Sequence, residues 1–292
     1  MKKYHIIANP IAGKNKFCKN LHKVEAYLNE KGVAFETHIS KARQDATEIV
    51  KNLCEEGVTD FIVVGGDGTM NEVLNGLVNP VDCRVGLIPS GTGNDFAEKV
   101  GIPFDVEEAC DLILNGETKS TDYIEVNGIR CMNVAGLGID VDVLERCQKG
   151  KMKGKPKYVL SLLQSLFTFK GYQVEIECNG ETETREVLIA AVCNGSQFGG
   201  GIQICPTAEV DDGKLDAIIV DSIGGPIKIA LAFVELMKGR VLEYPLTKHL
   251  RCDSIRFTPK KPTACPVQLD GELYQNLEFN AKVGTGLQVY RP

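Results

Sequence analysis

The chain has 292 residues, of which 43% are hydrophobic and 25% are charged, and its formal net charge at pH 7 is −6. This length is long for one average domain and suits two, and the composition is that of a globular protein with a substantial core. A mildly acidic chain is poorly suited to coating nucleic acid, so we expect no nucleic-acid partner.

The first part of the chain alternates predicted strands with predicted helices. Short apolar runs indicate the strands, and apolar residues at helical spacing that end near a glycine indicate the helices. The predicted strands are 3–8, 34–39, 61–64 and 84–88, and the predicted helices are 16–30, 45–56, 70–78 and one that starts at 96. This alternation predicts an α/β domain over residues 1–122, built on a doubly wound parallel sheet.

The pattern changes near residue 121, after which most segments have strand character. The predicted strands are 123–126, 173–177, 187–192, 215–220, 255–258 and 287–290, and helices interrupt them around 158–170 and 227–238. Asn127-Gly128 and Asn179-Gly180 are typical hairpin turns. We therefore predict an antiparallel β-sandwich or open barrel over residues 123–292, packed so that a ligand cleft lies between the two domains.

Residues 65–69 (GGDGT) join a predicted strand directly to a predicted helix. Glycines let the backbone approach an anion closely, and the helix N-terminus adds free N–H groups and about half a positive charge. Asp67 would repel phosphates unless a cation lies between them, and Mg²⁺ is the natural bridge. The alternative is a tight turn with an exposed aspartate.

Two more polar turns follow predicted strands, after the strands 3–8 and 84–88. The carboxyl ends of parallel strands lie along one edge of a sheet, where ligands bind. The polar and glycine residues of these turns are Asn9, Gly13, Lys14, Thr92, Asn94 and Asp95. Together with residues 65–69, they predict a phosphate-binding site at this edge.

Two acidic segments lie in the second half of the chain. Residues 209–216 place four carboxylates around Gly213, and residues 268–272 (QLDGE) hold two more. An Asp-Gly turn can aim a carboxylate and nearby carbonyls at one hard cation, and phosphoryl transfer needs a carboxylate that orients the attacking hydroxyl. The alternative for both segments is an ordinary hairpin turn.

Three segments together carry a family resemblance: NP and GK within residues 9–14, GGDGTMNE at 65–72, and PSGTGNDF at 89–96. In their order, spacing and strand–helix context, the chain resembles the diacylglycerol-kinase catalytic-domain family, in particular its small bacterial soluble lipid kinases. NAD kinases and phosphofructokinases share GGDGT alone, whereas the longer segments together are specific. The resemblance covers essentially the whole chain. It implies an ATP- and Mg²⁺-dependent lipid kinase, with diacylglycerol as the expected acceptor and phosphatidic acid as the product.

The resemblance also implies roles for individual residues. The glycine loops and the resemblance together assign the nucleotide contacts to Asn9, Pro10, Gly13, Lys14, Asn15, Ser40, Gly65, Gly66, Asp67, Gly68, Thr69, Asn71, Glu72, Thr92 and Asn94. Ser40 follows from the alignment of a strand end alone, and a plain loop serine is the alternative.

By the same resemblance, residues 123–292 form the lipid-substrate and metal-binding domain. A structural Mg²⁺ would bind the carboxylate of Asp212 and the main-chain carbonyls of Glu209 and Lys214. Glu272 would be the catalytic base, with Asp270 as its orienting or metal-linked partner, although the sequence leaves the reverse assignment open. Asp122, together with Asp67 and Asp95, would hold a water–Mg²⁺ network near the phosphates, and the alternative for Asp122 is a turn residue at the start of a strand.

A lysine-rich segment is the candidate contact with a membrane. Lys149, Lys151, Lys153, Lys155 and Lys157 precede the apolar residues 158–167. An anionic membrane surface attracts a basic loop beside an apolar helix. The alternative is a solvated loop followed by a helix that packs on the second domain.

The remaining sequence features concern localisation and partners. No stretch is long and apolar enough to span a bilayer, and none of the eleven cysteines lies in a C-x-x-C pair. These features, with no signal peptide in the sequence, predict a cytoplasmic protein with reduced thiols that contacts membranes peripherally. The oligomeric state stays open, a homodimer included.

Two other functions are consistent with the motifs. One is a kinase of a soluble substrate, such as an NAD kinase, and the other is a non-catalytic nucleotide- or lipid-binding protein. Among lipid acceptors, monoacylglycerol, phosphatidylglycerol and long-chain sphingoid bases stay open beside diacylglycerol.

Overall fold

The computed structural model describes residues 2–10, 15–149, 161, 164–165, 168–222, 225–262, 265–275 and 278–292. Gly13, Lys14 and the lysines 151, 153, 155 and 157 lie outside the described residues, as does most of the predicted helix at 158–170. Asn15 and Lys149 are described by their backbone alone.

The N-terminal half is a parallel sheet with helices on both faces, as the alternating pattern predicts. Its strands are β1 (Lys3–Ala8), β2 (Ala34–Ile39), β3 (Asp60–Gly65) and β4 (Arg84–Pro89), in the order β2-β1-β3-β4. Its helices are α1 (Asn15–Glu30), α2 (Asp45–Glu55), α3 (Asp67–Gly76), α4 (Asp95–Lys99) and α5 (Val106–Asn115). Helices α1 and α5 cover one face, whereas α2 and α3 cover the other. Successive side chains of β1 point to opposite faces of the sheet. Because helices cover both faces, Ile6 and Ile7 are both fully buried.

Helix α5 was not predicted, although its start carries a clear signal. Asp105 caps the helix, because its side-chain oxygen accepts from the backbone N–H groups of Glu107 at 2.9 Å and Glu108 at 3.3 Å. Its apolar positions recur at helical spacing and pack against β1 and α1.

The C-terminal half is built mainly of antiparallel strands, again as predicted. Its strands are β5 (Thr118–Val126), β6 (Ile129–Cys131), β7 (Val134–Gly138), β8 (Tyr172–Cys178), β9 (Glu181–Cys193), β10 (Gln197–Phe198), β11 (Ile202–Gln203), β12 (Leu215–Asp221), β13 (Thr247–Cys252), β14 (Ser254–Lys261), β15 (Val267–Leu269), β16 (Glu272–Tyr274) and β17 (Phe279–Tyr290). Helix α6 (Ile139–Lys149) follows β7, and helix α7 (Pro226–Met237) lies between β12 and β13. Helix α6 was not predicted, because its first residues, IDVDV, alternate with the period of a strand.

Strand β17 joins the two halves into one continuous sheet. It pairs antiparallel with β14 and β5, and its end pairs parallel with β4, with Gln288 opposite Arg84. The register of the β5–β17 pair shifts between Gly284 and Leu287, which marks a β-bulge. Because β5 itself runs through residue 122, the domain boundary placed there stays a prediction.

The described part of the chain contains no helix with the length and apolar character needed to cross a bilayer.

Candidate active site

A cavity of about 650 Å³ opens at the carboxyl ends of the parallel strands. The loops after β1, β3 and β4 form one side of it, and the start of α2 and the hairpin strand β16 form the other. Predicted site residues that line it are Asn9, Gly66, Asp67, Gly68, Thr69, Asn71, Glu72, Thr92 and Glu272. The structure therefore brings these nine predicted residues to one cavity, whereas Pro10, Ser40, Gly65 and Asn94 are not among its lining residues.

The two glycine loops touch each other through their backbones. A Cβ on Gly66 would lie 2.8 Å from the Cα of Gly91, and a Cβ on Gly91 would lie 2.6 Å from the Cα of Gly66. Asn94 fixes the second loop, because its side-chain amide accepts from the N–H of Gly91 at 3.0 Å and donates to the Gly91 carbonyl at 3.1 Å. These contacts leave no room for side chains at either glycine, so both loops hold one shape.

Gly68 has a different reason to be glycine. It is the second residue of α3, it lines the cavity, and no described atom beyond its chain neighbours and its own helix backbone lies within 4 Å of a Cβ built on it. Its φ is not in the left-handed region. The missing side chain therefore leaves space in front of a helix N-terminus, where backbone N–H groups and the helix dipole favour an anion.

Asp67 and Asp95 lie together beside these loops. The Oδ1 of Asp67 accepts from the N–H of Phe96 at 3.1 Å, and its Oδ2 is 3.0 Å from the position that a Cβ on Gly93 would take. Asp95 accepts from the N–H groups of Gly200 at 2.9 Å and Gly201 at 3.0 Å. Burial raises the pKa of Asp95, and the nearby negative charge of Asp67 adds to this effect. Asp95 thus holds a loop of the C-terminal half against the second glycine loop.

Asp122 lies with the other acidic loop. Its Oδ2 accepts from the N–H of Gly213 at 2.7 Å, and burial raises its pKa, as do the charges of Asp212 and Asp211. The prediction grouped Asp122 with Asp67 and Asp95, whereas the structure surrounds it with residues 210–213. A position at the start of a strand is compatible with either environment, so the sequence alone could not distinguish them.

The carboxylate of Asp212 faces two donors within the protein. Its Oδ1 accepts from the N–H of Lys214 at 2.9 Å, and its Oδ2 pairs with the guanidinium of Arg251. Glu209 is exposed. Arg291 pairs with Asp211 at 2.6 Å, so two arginines balance part of the negative charge of this loop.

Asp270 and Glu272 differ in what their carboxylates contact. Asp270 has a φ of 46°, and its side chain accepts from the N–H groups of Met132 at 2.8 Å, Asn133 at 3.0 Å and Val134 at 2.9 Å. Burial raises its pKa to about 7, against the opposing effect of these hydrogen bonds. Asp270 therefore anchors the β15–β16 turn to the start of β7, whereas Glu272 lines the cavity.

Ser40 is fully buried at the end of β2 and is not part of the cavity wall. Its backbone N–H donates to the carbonyl of Ala8 at 2.9 Å, and its hydroxyl has no hydrogen-bond partner among the residues that the structure describes. Its assignment as a nucleotide contact stays a prediction.

Several residues that line the cavity were not named as contacts: Arg43, Gln44, Thr47, Glu48, Asn75, Ile129 and Tyr274, together with Gly91 and Gly93 of the predicted second glycine loop. The turn between β2 and α2 contributes Arg43 and its neighbours. It follows the carboxyl end of a parallel strand, as the glycine loops do, and this position was the available signal. Arg43 forms an ion pair with Glu272 across the cavity mouth.

Comparisons with known proteins agree with this architecture. A model of the diacylglycerol kinase catalytic domain matches residues 3–126, and a model of the YegS C-terminal NAD kinase beta sandwich-like domain matches residues 133–289. The chain is 35% identical over 227 residues to a diacylglycerol kinase of Bacillus subtilis, covering 75% of this chain and 74% of that protein. It is 28% identical to a diacylglycerol kinase of Staphylococcus carnosus, covering 100% and 95%. The crystal structure of a diacylglycerol kinase from Bacillus anthracis has a TM-score of 0.80 at 28% identity, covering 99% of this chain and 97% of that one.

Proposed function

We propose that this chain, which belongs to the diacylglycerol kinase catalytic-domain family and is a lipid kinase, transfers the γ-phosphate of ATP to the hydroxyl of diacylglycerol. The single observation that supports this reaction is the cavity that places two glycine loops opposite Glu272. The loops provide an anion site, and a carboxylate lies across from it. Phosphoryl transfer requires such an arrangement, because its catalysis rests on positioning and on electrostatic stabilisation.

The donors at the glycine loops fit a divalent cation. Asp67 lies at the N-terminus of α3, beside the space that Gly68 leaves open. Carboxylate oxygens are hard ligands of the kind that Mg²⁺ prefers, and bound Mg²⁺ would neutralise part of the phosphate charge. We assign the metal–nucleotide contact to Asp67, with Asp95 holding the loop next to it.

The second acidic loop fits a cation in a different way. Asp122, Asp211 and Asp212 lie close enough that the last two raise the pKa of the first. The Asp212 carboxylate and the carbonyls of Glu209 and Lys214 are oxygen ligands of the kind that Mg²⁺ prefers, which supports their assignment as a structural Mg²⁺ site, with Arg251 and Arg291 as competing cations.

Individual residues have separate roles in the proposed reaction. Glu272 orients the lipid hydroxyl and accepts its proton, while Asp270 fixes the turn that carries Glu272 through hydrogen bonds to three backbone N–H groups. Asn94 keeps the second glycine loop in the shape that packs against the first.

The lipid acceptor is tested by direct phosphate transfer. The full chain is incubated with radiolabelled ATP, Mg²⁺ and vesicles containing diacylglycerol, with parallel reactions on monoacylglycerol, phosphatidylglycerol, a sphingoid base and NAD. We expect labelled phosphatidic acid from the wild type and at least tenfold less from Glu272→Gln. Label on NAD with none on any lipid would contradict the proposal and favour a soluble acceptor.

We also propose that the lysine-rich segment at 149–157 contacts anionic membranes, since the acceptor lies in a bilayer. Replacing its five lysines with glutamine should reduce sedimentation with vesicles rich in phosphatidylglycerol. Unchanged sedimentation would remove this segment as the docking surface.

A further inference from the structure

The ion pair between Arg43 and Glu272 closes one side of the cavity mouth. Arg43 belongs to the turn between β2 and α2, whereas Glu272 belongs to β16, 229 residues later in the chain. Their side chains are 65% and 39% exposed, respectively, so water and solutes reach both groups. An exposed pair of this kind is weak and exchanges its partners readily.

The charges on the cavity wall make Arg43 distinctive. Among the described residues that line the cavity, Glu48, Asp67, Glu72 and Glu272 carry carboxylates, and Arg43 is the single basic residue. A nucleotide triphosphate adds further negative charge to this wall. A guanidinium matches phosphate oxygens with two parallel N–H donors, and it competes well for them against a carboxylate.

The backbone that carries Arg43 is tied to the phosphate loop. Gln44, the next residue, has a left-handed backbone with a φ of 67°, which is uncommon for a residue other than glycine. The N–H of Lys41 donates to Asp45 at 2.6 Å, and the N–H of Ala46 donates to Glu72 at 3.3 Å. Glu72 belongs to α3, the helix that begins at the first glycine loop. The turn is therefore fixed relative to the nucleotide site, while the side chain of Arg43 extends into the cavity mouth.

We propose that Arg43 is a positioning residue that changes partner when nucleotide binds. In the empty enzyme it pairs with Glu272, and in the nucleotide complex it binds the phosphates and leaves Glu272 free for the lipid hydroxyl. A larger fraction of the base is thereby available once the phosphate donor is in place. This inference rests on the proposed function, because it needs Glu272 to act on the acceptor.

The exchange predicts which kinetic constant changes. Arg43→Gln should raise the Kd for the non-hydrolysable analogue AMP-PNP with Mg²⁺ about tenfold, the effect of one lost charge-assisted contact. In the reacting complex Glu272 is free in both the wild type and the variant. The loss in kcat/KM for ATP should therefore come from a higher KM, with kcat unchanged. Arg43→Lys keeps the charge and should recover part of the affinity. Arg256→Gln removes a similarly exposed arginine that pairs with Glu177 on the distant β14–β8 ladder, and it should change neither constant.

A double-mutant cycle on binding completes the test. Glu272→Gln should tighten AMP-PNP binding several-fold, because Arg43 is then free in the empty enzyme, and most of this gain should disappear in the Arg43→Gln background. An equal gain in both backgrounds would overturn the exchange, as would an Arg43→Gln variant with lower kcat and unchanged Kd. Calorimetry with AMP-PNP needs no lipid, so it decides the role of Arg43 separately from the identity of the acceptor. A wild type that transfers phosphate to no lipid would instead defeat the proposed function.

Discussion

Replacing Gly68 with alanine separates two reasons for which a nucleotide loop keeps a glycine. Gly66 and Gly91 are needed so that the loops can touch, whereas a Cβ on Gly68 meets, in the described part of the chain, no atom within 4 Å outside its own helix turn and chain neighbours. The added methyl group would project into the cavity that Gly68 lines. We therefore expect Gly68→Ala to weaken nucleotide binding while the fold stays intact.

Gly68→Ala should change the stability of the fold and the affinity for nucleotide in opposite directions and by different amounts. Alanine is more favourable than glycine inside a helix by up to about 1 kcal/mol, so the free energy of unfolding should stay equal or rise. The corresponding rise in Tm is at most about 4 °C. A methyl group in the path of the phosphates should raise the Kd for AMP-PNP with Mg²⁺ at least about tenfold, or about 1.4 kcal/mol.

Gly76 at the end of the same helix provides the matched control. A Cβ there would lie 2.5 Å from the carbonyl oxygen of Thr47 and 2.7 Å from the Cβ of Val50. Gly76→Ala should therefore lower the free energy of unfolding by about 1–3 kcal/mol, while the folded protein binds AMP-PNP normally. Scanning calorimetry and titration calorimetry measure the two quantities. If Gly68→Ala kept wild-type affinity, or lost as much stability as Gly76→Ala, the assignment of this space to a ligand would be wrong.

Three further predictions follow from the site and the core. Asp67→Ala and Glu272→Gln should each lower turnover at least about tenfold with little change in Tm. Removing divalent metal with EDTA should abolish phosphate transfer. Normal turnover in either variant, or in the presence of EDTA, would contradict the roles given above. Asp95→Ala removes hydrogen bonds that hold a C-terminal loop against the nucleotide loops, so urea unfolding should show a loss of about 1–3 kcal/mol, and unchanged stability would argue against this structural link. Burial raises the pKa of Asp140 to about 6, and within the described part of the chain its Oδ1 has no hydrogen-bond partner. This carboxyl binds its proton more tightly in the folded chain than in the unfolded chain. As the pH rises from about 4 to above 6, the wild type should therefore lose up to about 3 kcal/mol of stability relative to Asp140→Asn. A stability difference that is independent of pH would refute the argument.

The two glycine loops could be predicted as strand–helix turns because their requirements are local. Gly66 and Gly91 must be glycines for two turns to touch, and helices that start beside them leave an apolar periodic pattern in the sequence. Strand period and hairpin turns likewise indicate the antiparallel half of the chain. In these cases the residue type and its immediate neighbours carry the whole signal.

The remaining features depend on contacts between distant parts of the chain. Asp270 is buried against the backbone of residues 132–134, and Asp122 lies beside Gly213, whereas the sequence suggested a partner of the base for the first and a metal network for the second. Arg43 is one charged residue in a turn, and its importance comes from a partner on β16. No local pattern records such pairings, so a single sequence could not reveal them.

The bulge in the β5–β17 pair affects how easily the ribbon between the two halves bends. On one side of it β17 pairs with β14, and on the other side it pairs with β4 of the parallel sheet. Any hinge motion of the two halves must bend this ribbon, and its ladder is already interrupted between Gly284 and Leu287. Gly286 has a φ of 89°, and a Cβ on Gly284 would lie 2.1 Å from the ring of Tyr123. This interrupted segment, whose residues do not line the cavity, is therefore the part of the ribbon that bends with the least loss of ladder hydrogen bonds.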